Sequence, residues 1–530
     1  MKMPALASAW PKLVFLAMEW QWMILGAACL GLSLALALKA NSLSLFERQA
    51  RAHEKRVSVA VAWLTAWIVL FKLAQFVRFQ LLLDSGVTAN LVWNLAHGYG
   101  WISSLIGDKP FIAVHFAYAA GLLAPLLWLH ESTGTLAAAQ GAATGAALWG
   151  VFLLARRILR EPAAAVAITA LCASQLFFHG LIGSVVHSTA LEAPLFIWMI
   201  YCRLANRRVL AIILALALLS ACEDVPFVFF GLGACVFFSC EGRDKLKGLA
   251  LAGAAVLIFA GEMTLIHRAQ RGWAMAADFW HWQLYGNLGS DPGALARIAL
   301  TRPWKIAALL AAPAAKLWTP VWALGFFSFL PLLAGPVLLP FAAVWLPHQL
   351  AGLGSGYHEF NAHNAALGYA TLCWAAIVGF RRALELVPAA KRRGASGALF
   401  MRYSDFYLSP LLFPSKWATA APRALARIRP GAKVWCDEFL LPQLALRRHV
   451  RTLPGQLPDA SFTPDLFLPD QVLLSTNWFR FATPDAGRRI TGFLQRRGFQ
   501  PVFREADLIL LERPGGRDED PPRLVSIPAD

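Results

Sequence analysis

Acidic residues are scarce in this sequence. Aspartate and glutamate number 31 against 48 lysines and arginines in 530 residues, and all charged residues together make up 15 % of the chain. With 58 % hydrophobic residues, the chain lacks the polar side chains that a soluble fold of this size needs for its coat, so a globular class is excluded. Cysteine is also sparse: none of the eight pairs with another at zinc-ligand spacing in a polar loop, and they read as small core residues. No cleavable leader is evident, because the run Leu13 to Leu38 is too long for a signal-peptide core and has no small-residue cleavage site. Despite a formal charge of +17, no basic helix or aromatic-basic stretch stands apart from the short loops, which excludes nucleic acid as a partner. No internal repeat is visible, which argues against the usual transporter architectures.

What the sequence does have is apolar runs near the length that crosses a hydrocarbon layer of about 30 Å. The expected class is an all-α polytopic membrane protein of about ten to twelve transmembrane helices with a small C-terminal α/β domain. An extra N-terminal span near Trp20–Leu38 and a cytoplasmic loop fill residues 1–56, and a membrane domain fills 57–380. Spans are expected at about 57–82, 136–155, 162–178, 191–206, 208–222, 225–240, 247–266 and 364–380. The stretch 306–350 is broken by Pro313, Pro320, Pro331, Pro336, Pro340 and Pro347 into kinked or short helices.

Basic clusters fix the orientation. Arg48/Arg51/Lys55/Arg56, Arg156/Arg157/Arg160, Arg203/Arg207/Arg208, Arg243/Lys245/Lys247 and Arg381/Arg382/Lys391/Arg392/Arg393 all fit cytoplasmic loops. The segments between them then face outward. They carry Asp84 and Asp108, then His179, His187 and Glu192, then Glu223 and Asp224, and finally His358, Glu359 and His363. Within the outer loop 83–135, the run Phe111–Leu129 has His115 and Pro125 and suits an interfacial or re-entrant segment rather than a crossing. Glu223, Asp224 and Pro226 break the stretch 209–240 into two short helices, which keeps two carboxylates out of hydrocarbon.

From Arg381 the pattern changes to charges, prolines and short alternating runs. Lys433–Glu438 and Gln471–Thr476 read as buried strands, Asp485–Arg497 as a helix, and Gln500–Arg513 as a strand pair turning at Glu505–Ala506. The α/β domain covers 381–513, and a charged, proline-rich tail covers 514–530. Span counting puts this domain inside unless the weakly apolar stretch Ala398–Phe413, with Arg402 and Asp405, also crosses.

Several residues are candidates for chemistry. Asp84, just after a span, can take a proton from a hydroxyl or ligate a divalent cation; its alternative is a helix-capping turn residue. The histidines can bind phosphate, hold a metal or move protons. Glu223 and Asp224 at a helix break are costly unless functional or paired, with Arg78 or Lys72 as the structural partners. Lys109 can hold a lipid phosphate as a point charge.

These residues also carry a resemblance. Asp84-Ser-Gly-Val-Thr-Ala-Asn-Leu-Val-Trp-Asn94 with Gly98, Phe111 to Phe116 with Pro125, His187 with Glu192, and Glu223-Asp224 resemble the motifs of a family of predicted membrane proteins, domain of unknown function two thousand and seventy-nine. That family in turn resembles the C-type (GT-C) glycosyltransferases, multi-span enzymes that use polyprenyl-phosphate sugars. Two positions depart from the pattern: Ala89 stands where a second acid is usual, and Cys222 where a lysine is usual.

The resemblance implies a GT-C-like, inverting transferase in the inner membrane of a bacterium. It would move a sugar from a polyprenyl-phosphate donor to an acceptor at the outer face. Asp84, Glu223 and Asp224 would be catalytic; Lys109, His115, His187, Glu192, Trp93, Asn94 and His358 would bind substrate. A divalent cation, Mg2+ or Mn2+, would sit on Asp84 and Glu223. The competing readings are a transporter or lipid flippase, and an inactive membrane scaffold.

Overall fold

The computed structural model describes residues 43–106, 110–271, 297–298, 300–311, 315–351, 362–386, 416–453, 469–475 and 486–514. The expected first span, the stretch Ala398–Phe413, Lys109, His358 and the tail beyond Pro514 lie outside the described residues.

The protein is mostly helical, with one small sheet. The helices that matter here are α1 (Leu43–Val77), α2 (Leu83–Ala96), α3 (Thr133–Leu159), α4 (Pro162–Ser174), α5 (Leu176–Gly183), α6 (Glu192–Leu204), α7 (Arg208–Leu219), α8 (Val225–Ser239), α9 (Arg243–Gln270) and α10 (Ala366–Leu386). Among the described residues, Arg56–Val77, Thr133–Leu159 and Arg243–Gln270 are long and apolar enough to cross a membrane, and Ala164–Ser174 with Phe177–Gly183, bent by 55°, adds a fourth as a broken span. Helices such as α7 and α8 are about 18–22 Å long, short of a 30 Å layer on their own. The proline-rich part divides into the four short helices Pro303–Ala311, Ala315–Gly325, Leu330–Leu333 and Leu339–Leu350. Helix length alone therefore supports three or four crossings, because polar and proline breaks cut the other apolar runs. The run Phe111–Leu129 forms 3-10 turns and one short helix instead of a long one.

The chain divides into two compact units. The first comprises Met1–Lys72, Phe111–Leu123 and Ala137–Ser409; the second comprises Leu73–Pro110, Ala124–Leu136 and Pro410–Asp530.

In the first unit, helices pack through small residues, as expected where lipid removes most of the hydrophobic drive. Gly141 and Gly145, four apart on α3, lie against α1. A Cβ on Gly141 would come within 3.0 Å of the Val69 Cα, and one on Gly145 within 2.2 Å of Thr65 Oγ1. Gly233 on α8 and Gly248 on α9 likewise let two backbones meet, since a Cβ on either would be 2.5 Å from a backbone nitrogen of the other helix. These two helices run antiparallel through the turn at Cys240–Gly242, and that register carries Glu262 of α9 up to the level of Glu223. The α3 window is 61 % buried, whereas those of α1 and α9 are 22 % buried, so α3 is the central helix and the other two leave broad apolar faces outward.

The second unit holds a five-stranded sheet, order β2-β1-β3-β5-β4, with β1 Val434–Cys436, β2 Val450–Thr452, β3 Gln471–Ser475, β4 Gln500–Glu505 and β5 Leu508–Glu512. The first three strands are parallel and the last two pair antiparallel, turning at Ala506–Asp507. Alternate side chains feed two cores, as strand geometry requires. Val434, Cys436, Leu473 and Leu510 meet Ala420, Ala421 and Ala424 of Lys416–Leu425 on one face. Trp435, Val472, Leu474 and Leu511 meet Ile490 and Leu494 of Ala486–Arg496 on the other.

The sheet does not stand apart from the first outer loop. Asn90 of α2 donates from Nδ2 to the carbonyls of Ala445 and Arg447, each at 2.8 Å. Its Oδ1 accepts from Ser104 N–H at 2.9 Å and Ser103 Oγ–H at 3.0 Å. Ser104 Oγ–H reaches the Val450 carbonyl at 3.1 Å, and Thr133 Oγ1–H the Pro442 carbonyl at 2.7 Å. A Cβ on Gly86 would clash with Leu441 at 2.7 Å. Within the second unit, the α/β domain is therefore docked directly on α2 and the loop that follows it.

Candidate functional site

The polar centre of the first unit is assembled from four segments. Its base is the turn between α7 and α8, where Glu223 and Asp224 interrupt the apolar run and Pro226 opens the next helix. Over this turn lies the segment 111–123. It is held there by the Ala119 N–H on the Ser220 carbonyl at 2.7 Å and by Gln270 Nε2–H on the Ala113 carbonyl at 2.8 Å.

The docked segment presents His115 to Glu223. Glu223 Oε1 accepts from His115 Nδ1–H at 2.9 Å, and Oε2 accepts the Phe116 N–H at 3.0 Å and the Cys222 thiol at 3.4 Å. Glu223 is 6 % exposed. Its partner is thus an imidazole and not Lys72, whose buried ammonium instead donates to the Ser184 carbonyl.

His187 enters from the opposite segment, its ring edge-on to His115 at 6.0 Å between centroids. It is placed by Gln140 of α3. That amide accepts the His187 N–H at 2.9 Å and donates to Ser184 Oγ at 3.0 Å and to the Val185 carbonyl at 2.9 Å. His187 Nδ1 in turn accepts from the Thr189 N–H at 3.3 Å, capping the turn that leads into α6.

Glu192 opens α6 with its side chain buried, and Glu262 of α9 is buried as well. Ligand atoms of Glu192, Cys222 and Asp224 lie within 4.8 Å of one another, as do those of His115, Cys222 and Glu223. Among the described residues, Glu192 Oε1, Asp224 Oδ1 and Glu262 Oε2 are buried with no hydrogen-bond partner. Burial first, and then the neighbouring Glu223 charge, push the Asp224 carboxyl up to about 6, while Cys222 and His115 pull the other way. Burial and the surrounding carboxylates push the Cys222 thiol well up.

The sequence candidates thus divide. His115, His187, Glu192, Glu223 and Asp224 come together in the first unit. Asp84, Trp93 and Asn94 belong to the second. Asp84 lies exposed in the first turn of α2. Asn94 is buried and its amide donates to the Ile102 carbonyl at 3.0 Å, and Trp93 stacks with His97 at 4.4 Å and bonds to Glu131. Both therefore brace the loop. The expected Asp84–Glu223 metal pair is divided between the units; the side chains that flank Glu223 are His115 and Cys222. Glu262 and Gln140 were not singled out. Each is a lone polar residue in an apolar helix, which is the signal that finds them.

Buried acids and imidazoles within a bundle of apolar helices define an integral membrane protein with a polar centre. The chain belongs to the family described as predicted membrane protein (DUF2079), whose match covers residues 78–498. No curated protein matches the sequence. One solved structure, the crystal structure of ArnT from Cupriavidus metallidurans in the apo state, is similar at 14 % identity with a TM-score of 0.35, over 84 % of this chain and 98 % of that one.

Proposed function

We propose that the protein is a GT-C-like glycosyltransferase of about ten to twelve spans, acting at the outer face of a bacterial cytoplasmic membrane on a polyprenyl-phosphate-linked sugar. The observation that carries this reading is the His115–Glu223 pair. With Nδ1–H donated to a buried carboxylate, the neutral ring presents Nε2 as its acceptor, which is the arrangement of an oriented general base. In this reading Nε2 takes the proton of an acceptor hydroxyl. The hydroxyl oxygen attacks the anomeric carbon with inversion as the bond to the phosphate oxygen breaks, and polyprenyl phosphate leaves. His187, whose ring lies 6.0 Å from that of His115, would receive the departing phosphate, with Lys109 and His358 as further candidates. Asp84 is the rival base, a carboxylate at the start of α2.

The test is transfer from a labelled polyprenyl-phosphate sugar by the purified protein in lipid. His115→Ala and Glu223→Gln should each lower kcat by about 10²–10⁴ while the protein remains folded. Full activity in His115→Ala with loss in Asp84→Asn would assign the base to Asp84. Absence of transfer by the wild-type chain with every donor class offered would end the reading.

A further inference from the structure

We propose that Glu192, Cys222 and Asp224 form a binding site for a first-row divalent cation of the zinc or cobalt kind. The site goes beyond the transfer reading and stands on geometry of its own. Two triads share the Cys222 thiol, but only one of them has unmet demand. In the His115–Cys222–Glu223 group, both Glu223 oxygens already accept hydrogen bonds. In the Glu192–Cys222–Asp224 group, Glu192 Oε1 and Asp224 Oδ1 are both buried without a partner, and a carboxylate oxygen of each residue lies within 4.8 Å of the other residue's and of the thiol. Glu192 is 2 % exposed, so bulk solvent does not reach its carboxylate.

Charge points the same way. Glu223 and Asp224 lie close enough to both Glu192 and Glu262 for mutual repulsion, and Glu262 Oε2 is a third buried oxygen without a partner. The imidazole in this cluster, His115, is hydrogen-bonded to Glu223. Lys72, a cation on a neighbouring helix, is engaged by the Ser184 carbonyl. A divalent ion between Glu192 and Asp224 meets both orphaned oxygens and offsets the repulsion. A sulfur among the donors favours zinc or cobalt over manganese, calcium or magnesium. Three protein donors leave further coordination positions for water or for a ligand's oxygen. Glu262 then acts from outside the donor set, as a carboxylate that raises the local negative field.

The test needs no transfer activity. The full-length protein, purified in detergent and stripped with a chelator, is titrated with Co2+. The wild type should take up a single equivalent and develop a near-ultraviolet sulfur-to-cobalt absorption. Cys222→Ala should lose that absorption. The isosteric double variant Glu192→Gln/Asp224→Asn should bind Co2+ more weakly by more than about tenfold, with an unchanged elution profile and helical circular dichroism. Cys222→Lys, which places an ammonium beside both acids, should abolish uptake. A wild-type protein that binds no Co2+, or binds it no more tightly than the double variant, overturns the site, and so does uptake without the sulfur absorption.

Discussion

The two units each bury a polar cluster, and the clusters are built in opposite ways. In the second unit, Asn90 and Asp437 are saturated by backbone. Asn90 serves two carbonyls and accepts from Ser103 and Ser104, while Asp437 accepts the N–H groups of Phe439, Leu440 and Ser475. In the first unit, Glu192, Asp224 and Glu262 each keep a buried oxygen without a partner. A saturated cluster spends its hydrogen-bonding capacity on holding the chain together, while an unsaturated one is poised to hold something else. The comparison therefore contrasts residues that hold the second unit together with acids of the first unit that keep unmet hydrogen-bonding capacity.

The largest effect that would sharpen this contrast is expected at Asn90. Asn90→Ala leaves the Arg447 carbonyl and the Ser104 N–H without the Asn90 bonds, and the Ala445 carbonyl with only the Arg447 N–H, in the joint between α2 and the sheet. Each such orphan costs about 1–3 kcal/mol, so the second unit should lose roughly 3 kcal/mol or more. Proteolysis of the full-length protein should cut the segment 416–453 far sooner in the variant than in the wild type. Wild-type resistance would show that the saturated cluster is not what holds the sheet to the loop.

Much of this was legible in the sequence, and for identifiable reasons. Strands at 434–436, 471–475, 500–505 and 508–512 and the helix at 486–496 fall inside the segments read from alternation and amphipathic spacing, because each of these elements forms one wall of a core. The strand Val450–Thr452 was missed: three residues, one of them arginine, carry too short a pattern, and parallel pairing to β1 makes the strand. The break at Glu223-Asp224 was readable because carboxylates are costly in hydrocarbon. Glu262 escaped notice because its importance comes from the glycine register between α8 and α9, a pairing that appears only once both helices are packed. The docking of the sheet on α2 escaped for the same reason, since Asn90 and Ala445 are 355 residues apart in the chain.

A second test of the saturated cluster is its pH response. Burial raises the Asp437 carboxyl to about 6 from an ordinary 3.8, even though three backbone donors pull it down. A folded-state value above the unfolded one means that the native form binds the proton more tightly. Its contribution is therefore fully present below the unfolded value and is lost as pH rises through 6, with a span of at most about 3 kcal/mol. Amide hydrogen exchange at 434–440 and 471–475 should report a lower opening free energy at pH 7.5 than at pH 5. Asp437→Asn should be weaker at all pH values, because its amide hydrogen meets a backbone donor, and its opening free energy should vary less with pH. An unchanged pH slope in the variant would assign the response to other groups.

The smallest expected effect falls in the unsaturated cluster, and it changes sign with conditions. Without metal, Glu192→Gln removes a carboxylate from among repelling neighbours and adds an amide donor beside Asp224. The thermal midpoint in detergent should stay level or rise, by less than about 1 kcal/mol of stability. With Co2+ at a hundred times its dissociation constant, the wild type should gain about 2.7 kcal/mol from binding, and the variant should gain little. The order of the two midpoints then reverses. A clear fall of the metal-free midpoint in Glu192→Gln, as large as that of Asn90→Ala, would place Glu192 with the structural residues and erase the distinction between the two clusters.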